Sequence, residues 1–182
     1  MSSERIPRRS FLKNSTLAAS SIALSSAGVA RGFPANEKVV LGVIGIRGRG
    51  LGLAQGFSKN GAGIAYLCDV DSNLFADRLK SIASLQGKAP QAVKDYRAIL
   101  DDGTVDAVVV ATPDHWHAPP TIQACQSGKD VYVEKPVAHN VREGRKMIEA
   151  ARKYKRIVQV GTQARSGPYV QRAAEYIRKR VL

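Results

Sequence analysis

Short apolar runs recur along the chain, each closed by glycine, proline or an acid, and between them lie stretches with a helical period. Lys38–Ile44, Gly63–Cys68, Ala92–Asp95, Asp106–Ala111, Val131–Val133 and Ile157–Val160 read as strands. Their apolar residues are continuous rather than alternating, the pattern of strands buried on both faces. Helices are predicted from the glycine turn after Ile44 to about Lys59, and from an N-cap at Ser72 to about Gln86. Asp95 caps a short helix over Tyr96–Leu100, and Pro120–Ser127 is helical with Gly128 as its stop. Asn140, with Glu143 three residues on, caps Val141–Tyr154, and Pro168 opens a last helix. Strands alternating with helices give an α/β fold, a doubly wound parallel sheet of about six strands. No internal repeat or low-complexity segment interrupts it.

The first thirty residues do not share this pattern. Pro7-Arg8-Arg9-Ser10-Phe11-Leu12-Lys13 precedes a mildly apolar, Ala/Ser-rich stretch from about Ser15 to Val29, and Gly28-Val29-Ala30 is a small-x-small cleavage site. The stretch is too short and too polar to span a bilayer well. It resembles a twin-arginine export signal, although that signal usually has Ser or Thr at the place of Pro7. The resemblance implies an exported, periplasmic protein that folds before translocation and touches the membrane only through its signal. The domain reading is therefore 1–30 signal, 31–37 linker and 38–182 globular domain, one domain's worth of chain.

The net charge of +13 changes this picture little. Arg5, Arg8, Arg9, Lys13 and Glu4 make +3 of it, leaving +10 to the rest, much of it late in the chain (Arg142, Arg145, Lys146, Arg152, Lys153, Lys155, Arg156). No aromatics interleave these cations and no nucleic-acid-binding motif accompanies them, so they read as a solvated helix face rather than a nucleic-acid site. Cys68 and Cys125 are far apart and form no CxxC; they read as small buried hydrophobes, neither a disulfide nor a metal site.

The candidate chemistry begins at Gly45-Ile46-Arg47-Gly48-Arg49-Gly50, between the first strand and the first helix. The dinucleotide fingerprint G-x-G-x-x-G has its first and third glycines at Gly45 and Gly50, while Arg47 replaces the middle one. The first glycine permits the tight turn, the third lets helix and strand pack, and the helix N-terminus meets the pyrophosphate. Arg47 must swing aside or help neutralise phosphate. Asp69 closes the second strand 19 residues beyond Gly50, near the ~20 at which a carboxylate takes the adenosine ribose hydroxyls. It would repel a 2′-phosphate, which favours NAD, whereas Arg47 and Arg49 are cations that would accommodate NADP.

Three further segments close later strands, where ligands bind in open α/β sheets. They are Thr112-Pro113-Asp114-His115-Trp116-His117, Glu134-Lys135-Pro136, and Gly161-Thr162-Gln163-Ala164-Arg165. With the glycine turn they resemble the Gfo/Idh/MocA oxidoreductases over about Val39–Ile177. That resemblance implies a Rossmann domain binding NAD or NADP and acting, by hydride transfer, on a small carbohydrate- or polyol-like molecule. Gly45, Ile46, Arg47, Gly50 and Asp69 would hold the cofactor. Thr112, Pro113 and His117 would line its nicotinamide side, Glu134 would bond near the nicotinamide ribose, and Lys135 would point into the reaction site as both cofactor contact and catalytic residue. A cis peptide before Pro136 is also implied.

The chemistry of Lys135 stands independently. Oxidising an alcohol requires its proton to be taken up, and a cation beside the oxygen stabilises developing alkoxide. The plainer alternative is a surface lysine pairing with Glu134. His115 and Trp116 shape the substrate mouth or pack, and Gln163 and Arg165, at the end of the sixth strand, would hold a hydroxyl or carboxylate. Asp114, His115 and His117 superficially resemble metal ligands, but no further ligand cluster supports a metal. The resemblance further implies a second α+β domain, not contained in these residues, that supplies most of the substrate pocket and the interface of a homo-oligomer. Some relatives are NAD-dependent glycosidases, so hydrolysis stays open beside net redox, as does a binding-only, inactive nucleotide-binding fragment.

Overall fold

A computed structural model describes residues 38–179, which lie within one compact unit beginning at Lys38. The export signal and the linker read from residues 1–37 lie outside the described residues.

The apolar runs form β1 (Val40–Ile44), β2 (Gly63–Cys68), β3 (Gln91–Val93), β4 (Ala107–Val110), β5 (Asp130–Glu134) and β6 (Val158–Gly161). All pair in parallel, in the order β3-β2-β1-β4-β5-β6. The chain winds outward through β2 and β3, then returns to lay β4 against the other side of β1. This reversal opens a crevice at the carboxyl ends of β1 and β4, the place where such sheets take ligands.

The continuous apolar runs are explained by cores on both faces. Leu41 and Val43 of β1 and Val109 of β4 pack against Ala54 of α1 (Gly48–Lys59) and Ile82 of α2 (Phe75–Gln86). Ile44, Val108 and Val110 face the other way, toward Ile99 and Leu100 of α3 (Arg97–Asp101), Cys125 of α4 (Ala118–Gln126) and Met147 of α5 (Val141–Lys153). Neighbouring residues of β4 therefore enter opposite cores, as the period-two pleat requires. Both cysteines are free and buried. Burial, and then the nearby Asp69 and Asp95 carboxylates, push the Cys68 thiol up to about 12.

The local signals differ from expectation in three places. The cap before α2 is Asp71, not Ser72: its side chain accepts from the Asn73 N–H, and a 3-10 turn over Ser72–Leu74 precedes the helix. A carboxylate at position 71 reaches that N–H, and Ser72 is already inside the turn. The third strand begins at Gln91 and ends at Val93. The helix expected from Pro120 begins two residues earlier, at Ala118, with both prolines in its first turn. Asn140 caps α5 as read, accepting from the Glu143 N–H at 3.0 Å, while the Glu143 carboxylate returns to the His139 N–H at 3.3 Å. The last helix, α6 (Pro168–Arg178), buries none of its residues and leaves Tyr169, Tyr176 and Ile177 exposed. No helix among the described residues is long and apolar enough to cross a membrane.

Candidate functional site

The crevice is built first by the turn after β1. Gly45 has φ 83°, and a Cβ there would lie 2.7 Å from the Ala111 carbonyl oxygen and 2.8 Å from the Thr112 nitrogen. Only glycine allows both the left-handed backbone and that approach to the end of β4. A Cβ on Gly50 would run into the Gly45 carbonyl oxygen, so the third glycine lets α1 close onto its own entry turn. At the start of α1 no side chain caps the helix and the first turn carries no acid. Its outward N–H groups and the positive end of its dipole are left for an anion, the arrangement that receives a pyrophosphate.

Arg47 leaves that anion seat clear. Its Nη2 reaches Asp71 Oδ2 at 3.0 Å. Asp69 stands just past β2, and both its oxygens are anchored: Oδ2 accepts the Ile46 N–H and Oδ1 the Asp71 N–H, each at 3.0 Å. The carboxylate is thereby held against the glycine turn, and each oxygen keeps a lone pair free to accept a further hydrogen bond.

The other half of the crevice is made by the segments after β4 and β5. The Thr112 hydroxyl donates to the Trp116 carbonyl at 3.0 Å and folds a 3-10 turn over Asp114–Trp116. Trp116 is left 51% exposed at the rim. His117 goes the other way and is 1% exposed. Its Nε2 lies 2.9 Å from the Thr112 carbonyl oxygen and its Nδ1 2.6 Å from that of Pro136. The ring thus straps the segment after β4 to the one after β5, from below the crevice. A neutral ring donates to one of these carbonyls at a time.

Glu134 ends β5 with its side chain 6% exposed. Arg49 Nε, on the first turn of α1, donates to its Oε1 at 2.7 Å, and the Lys135 backbone N–H donates to its Oε2 at 3.1 Å. The hydrogen bond it donates to Glu134 holds the Arg49 guanidinium above its usual value, against a smaller lowering by burial. The carboxylate is therefore engaged by Arg49 rather than by the Lys135 ammonium, and Lys135 is exposed. The Lys135–Pro136 peptide is cis, as the family resemblance implies. Opposite Glu134 across the register is Gly161, where a Cβ would lie 2.8 Å from Glu134 Oε1.

At the rim, Asp114 Oδ2 lies 3.4 Å from His139 Nδ1, and Asp114 Oδ1 accepts the His115 N–H at 2.9 Å. The His139 hydrogen bond, with that of the His115 N–H, holds the Asp114 carboxyl below the usual range. Among the described residues no three His, Cys, Asp or Glu side chains are grouped as metal ligands. Gln163 and Arg165 do not end the sixth strand. That strand stops at Gly161, and both lie exposed in a 3-10 turn over Gln163–Ser166, because Thr162 already leaves the extended backbone. Arg49, Asp71 and His139 join the site without a full signal in the sequence. Arg49 carries a partial signal, as a second cation in the glycine turn; the other two are recruited only by the fold.

The assembled segments match known proteins. The Gfo/Idh/MocA family, described as "Oxidoreductase family, NAD-binding Rossmann fold", matches residues 40–162. A curated relative, glycosyl hydrolase family 109 protein 2 of Shewanella sp. (strain ANA-3), is 33% identical over 166 residues, 79% of this chain and 36% of its own. Among solved structures, a probable dehydrogenase from Thermotoga maritima is 27% identical with a TM-score of 0.63, covering 78% of this chain and 41% of its own. A levoglucosan dehydrogenase in complex with NADH and levoglucosan is 26% identical with a TM-score of 0.65, covering 79% and 40%. The chain thus spans about two fifths of the length of these relatives. It belongs to the Gfo/Idh/MocA oxidoreductase family, and residues 40–162 are that family's NAD-binding Rossmann domain.

Proposed function

We propose that this chain is the cofactor-binding and proton-handling half of an enzyme that moves a hydride between a nicotinamide dinucleotide and an alcohol carbon of a sugar- or polyol-like substrate. The observation that carries the proposal is the joining of the anion-binding start of α1 to Glu134-Lys135 by the Arg49–Glu134 ion pair. One end of that link suits a pyrophosphate and the other presents a lysine. The Gly45–Gly50 turn, with Ile46 and the first N–H groups of α1, would hold the pyrophosphate. Asp69 would receive the adenosine ribose, Thr112 and Pro113 would lie along the nicotinamide, and Glu134 would bond its ribose. His117 supports this wall from below through the Thr112 and Pro136 carbonyls.

Bound NAD would supply the hydride acceptor. As hydride leaves the carbon, Lys135 as the neutral amine would take up the hydroxyl proton, and the ammonium so formed would stabilise negative charge on that oxygen; in the reverse direction the ammonium would return the proton. His115 and Trp116 would meet the substrate at the rim; an indole face suits the apolar face of a sugar ring. Gln163 and Arg165 would offer polar contacts at the edge of β6. The carboxylate of Asp69 favours NAD over NADP.

A second reading is hydrolysis without net redox, favoured by the identity to the Shewanella glycosyl hydrolase family 109 protein. The test uses the protein isolated at its natural length from its own cells, with NAD and a panel of sugars and aryl glycosides. Sugar-dependent NADH formation supports the oxidoreductase. Aglycone release with no net NADH identifies a glycosidase. Dinucleotide binding with neither reaction overturns both and leaves a binding-only protein. We also propose export through the twin-arginine segment: replacing Arg8 and Arg9 by lysine should retain the protein in the cytoplasm, and undiminished export would remove that assignment.

A further inference from the structure

Arg47 stands where the dinucleotide fingerprint has its middle glycine, and the structure shows what the substitution entails. Its guanidinium does not turn into the anion seat. It is held by Asp71, Nη2 to Oδ2 at 3.0 Å, with the arginine side chain 76% exposed and the aspartate 30%. Asp71 is itself fixed from two sides. Its N–H donates to Asp69 Oδ1 at 3.0 Å, and its own Oδ1 accepts from the Asn73 N–H at 3.1 Å. Asp69 Oδ2 receives the N–H of Ile46, the residue before Arg47. Arg47, Asp71, Asp69 and Ile46 therefore close a ring between the glycine turn and the end of β2. That ring borders the carboxylate that would receive the adenosine ribose.

We infer that Asp71 is a specificity-determining residue for the dinucleotide: by holding Arg47 in an ion pair beside Asp69, it denies a 2′-phosphate its cation and sets the preference for NAD. The inference rests on the reading that Asp69 receives the ribose. A phosphate carries about −1.5 to −2 charges near neutral pH and needs cationic donors. At this edge it would meet two carboxylates. Arg47 is already paired with Asp71, and Arg49, the other cation of the turn, is committed to Glu134 at 2.7 Å. Removing the Asp71 charge acts twice in the same direction. It takes away one repulsive carboxylate and frees an arginine fork that matches phosphate geometry.

The test is calorimetric binding of NAD and NADP to the wild-type chain, Asp71→Asn, Arg47→Gly and the double variant. Asparagine keeps the oxygen that caps Asn73 and the backbone N–H that anchors Asp69, and it replaces the charged oxygen facing Arg47 by an amide NH2 that cannot accept from it. Asp71→Asn is expected to bind NADP about tenfold more tightly, the equivalent of one hydrogen bond to a charged group. NAD affinity should stay within about twofold. The NADP gain should shrink as salt rises, and most of it should disappear when Arg47→Gly is added, the double variant being compared with Arg47→Gly alone. Unchanged NADP affinity in Asp71→Asn, with NAD bound as in wild type, overturns the inference. A gain of undiminished size in the double variant overturns it too, because repulsion alone would then account for the preference. If NAD affinity is unaffected by Asp69→Ala in the same assay, the ribose reading itself fails.

Discussion

The Arg49–Glu134 ion pair joins residues 85 positions apart across the middle of the sheet, and its energy can be worked from its surroundings. The glutamate side chain is 6% exposed and the arginine 46%. Leaving one charge of a fully buried pair alone costs about 3–5 kcal/mol, whereas a fully exposed pair is worth about 0.2–1 kcal/mol. Here only the carboxylate is buried, and solvent screens the arginine end. Arg49→Met, which leaves that carboxylate with the Lys135 N–H, should therefore cost about 2 kcal/mol. Glu134→Gln keeps an acceptor for that N–H and lets Arg49 turn to water, so it should cost about 1 kcal/mol. The double variant should cost less than the sum, with a coupling of about 1–2 kcal/mol. Urea unfolding at fixed pH, with a common slope for all four proteins, measures each value. A thermal scan should show Arg49→Met melting about 6 °C lower. Additivity within about 0.3–0.5 kcal/mol would refute the reasoning, because the contact would then be geometry without energy.

Other expectations follow from the same geometry. Asp69→Ala should weaken NAD binding about tenfold and narrow the preference over NADP; two unchanged affinities would put the ribose elsewhere. Lys135→Ala in the natural-length enzyme should lower turnover by about 10²–10⁴ while NAD affinity stays nearly constant, and undiminished turnover would remove this lysine from the chemistry. Gly50→Ala drives a methyl into the Gly45 carbonyl oxygen and should cost about 1–3 kcal/mol together with dinucleotide binding; a wild-type melting curve would contradict that packing. The Cys68 thiol, raised from an ordinary 9.0 to about 12, should resist alkylation in the native chain, and labelling at the rate of a free thiol would show the core to be open. Because its folded value is raised, its contribution to stability is complete below about 9 and is lost as pH climbs toward about 12.

The strands were legible because parallel strands buried on both faces leave unbroken apolar runs, as Val108, Val109 and Val110 do in filling two cores. Gly45 and Gly50 were legible because backbone crowding excludes every other residue there. The place of Asp69, just past the second strand and against the glycine turn, was legible by its spacing from that turn. The partners of charged side chains were not. Nothing local in the sequence assigns Arg49 to Glu134 or Arg47 to Asp71, since only strand order brings those segments together. Lys129 looks like a surface cation but is buried, its ammonium donating to the carbonyls of Asp102 and Val105 at 2.6 and 2.9 Å. The cap at Asp71 rather than Ser72 turned on one residue of backbone geometry, a distinction two good capping residues in a row do not settle.

The position of Trp116 has a practical consequence. It is the one tryptophan of the sequence. Its backbone is pinned by the Thr112 hydroxyl and by its own N–H to the Pro113 carbonyl at 2.8 Å. Its indole stands half in solvent at the crevice edge where a nicotinamide would lie. Indole emission overlaps the absorption of reduced nicotinamide, so NADH seated there would quench this single emitter by energy transfer. With the nicotinamide placed as proposed, the chain would carry its own optical reporter, and occupancy of the crevice would be read without a label.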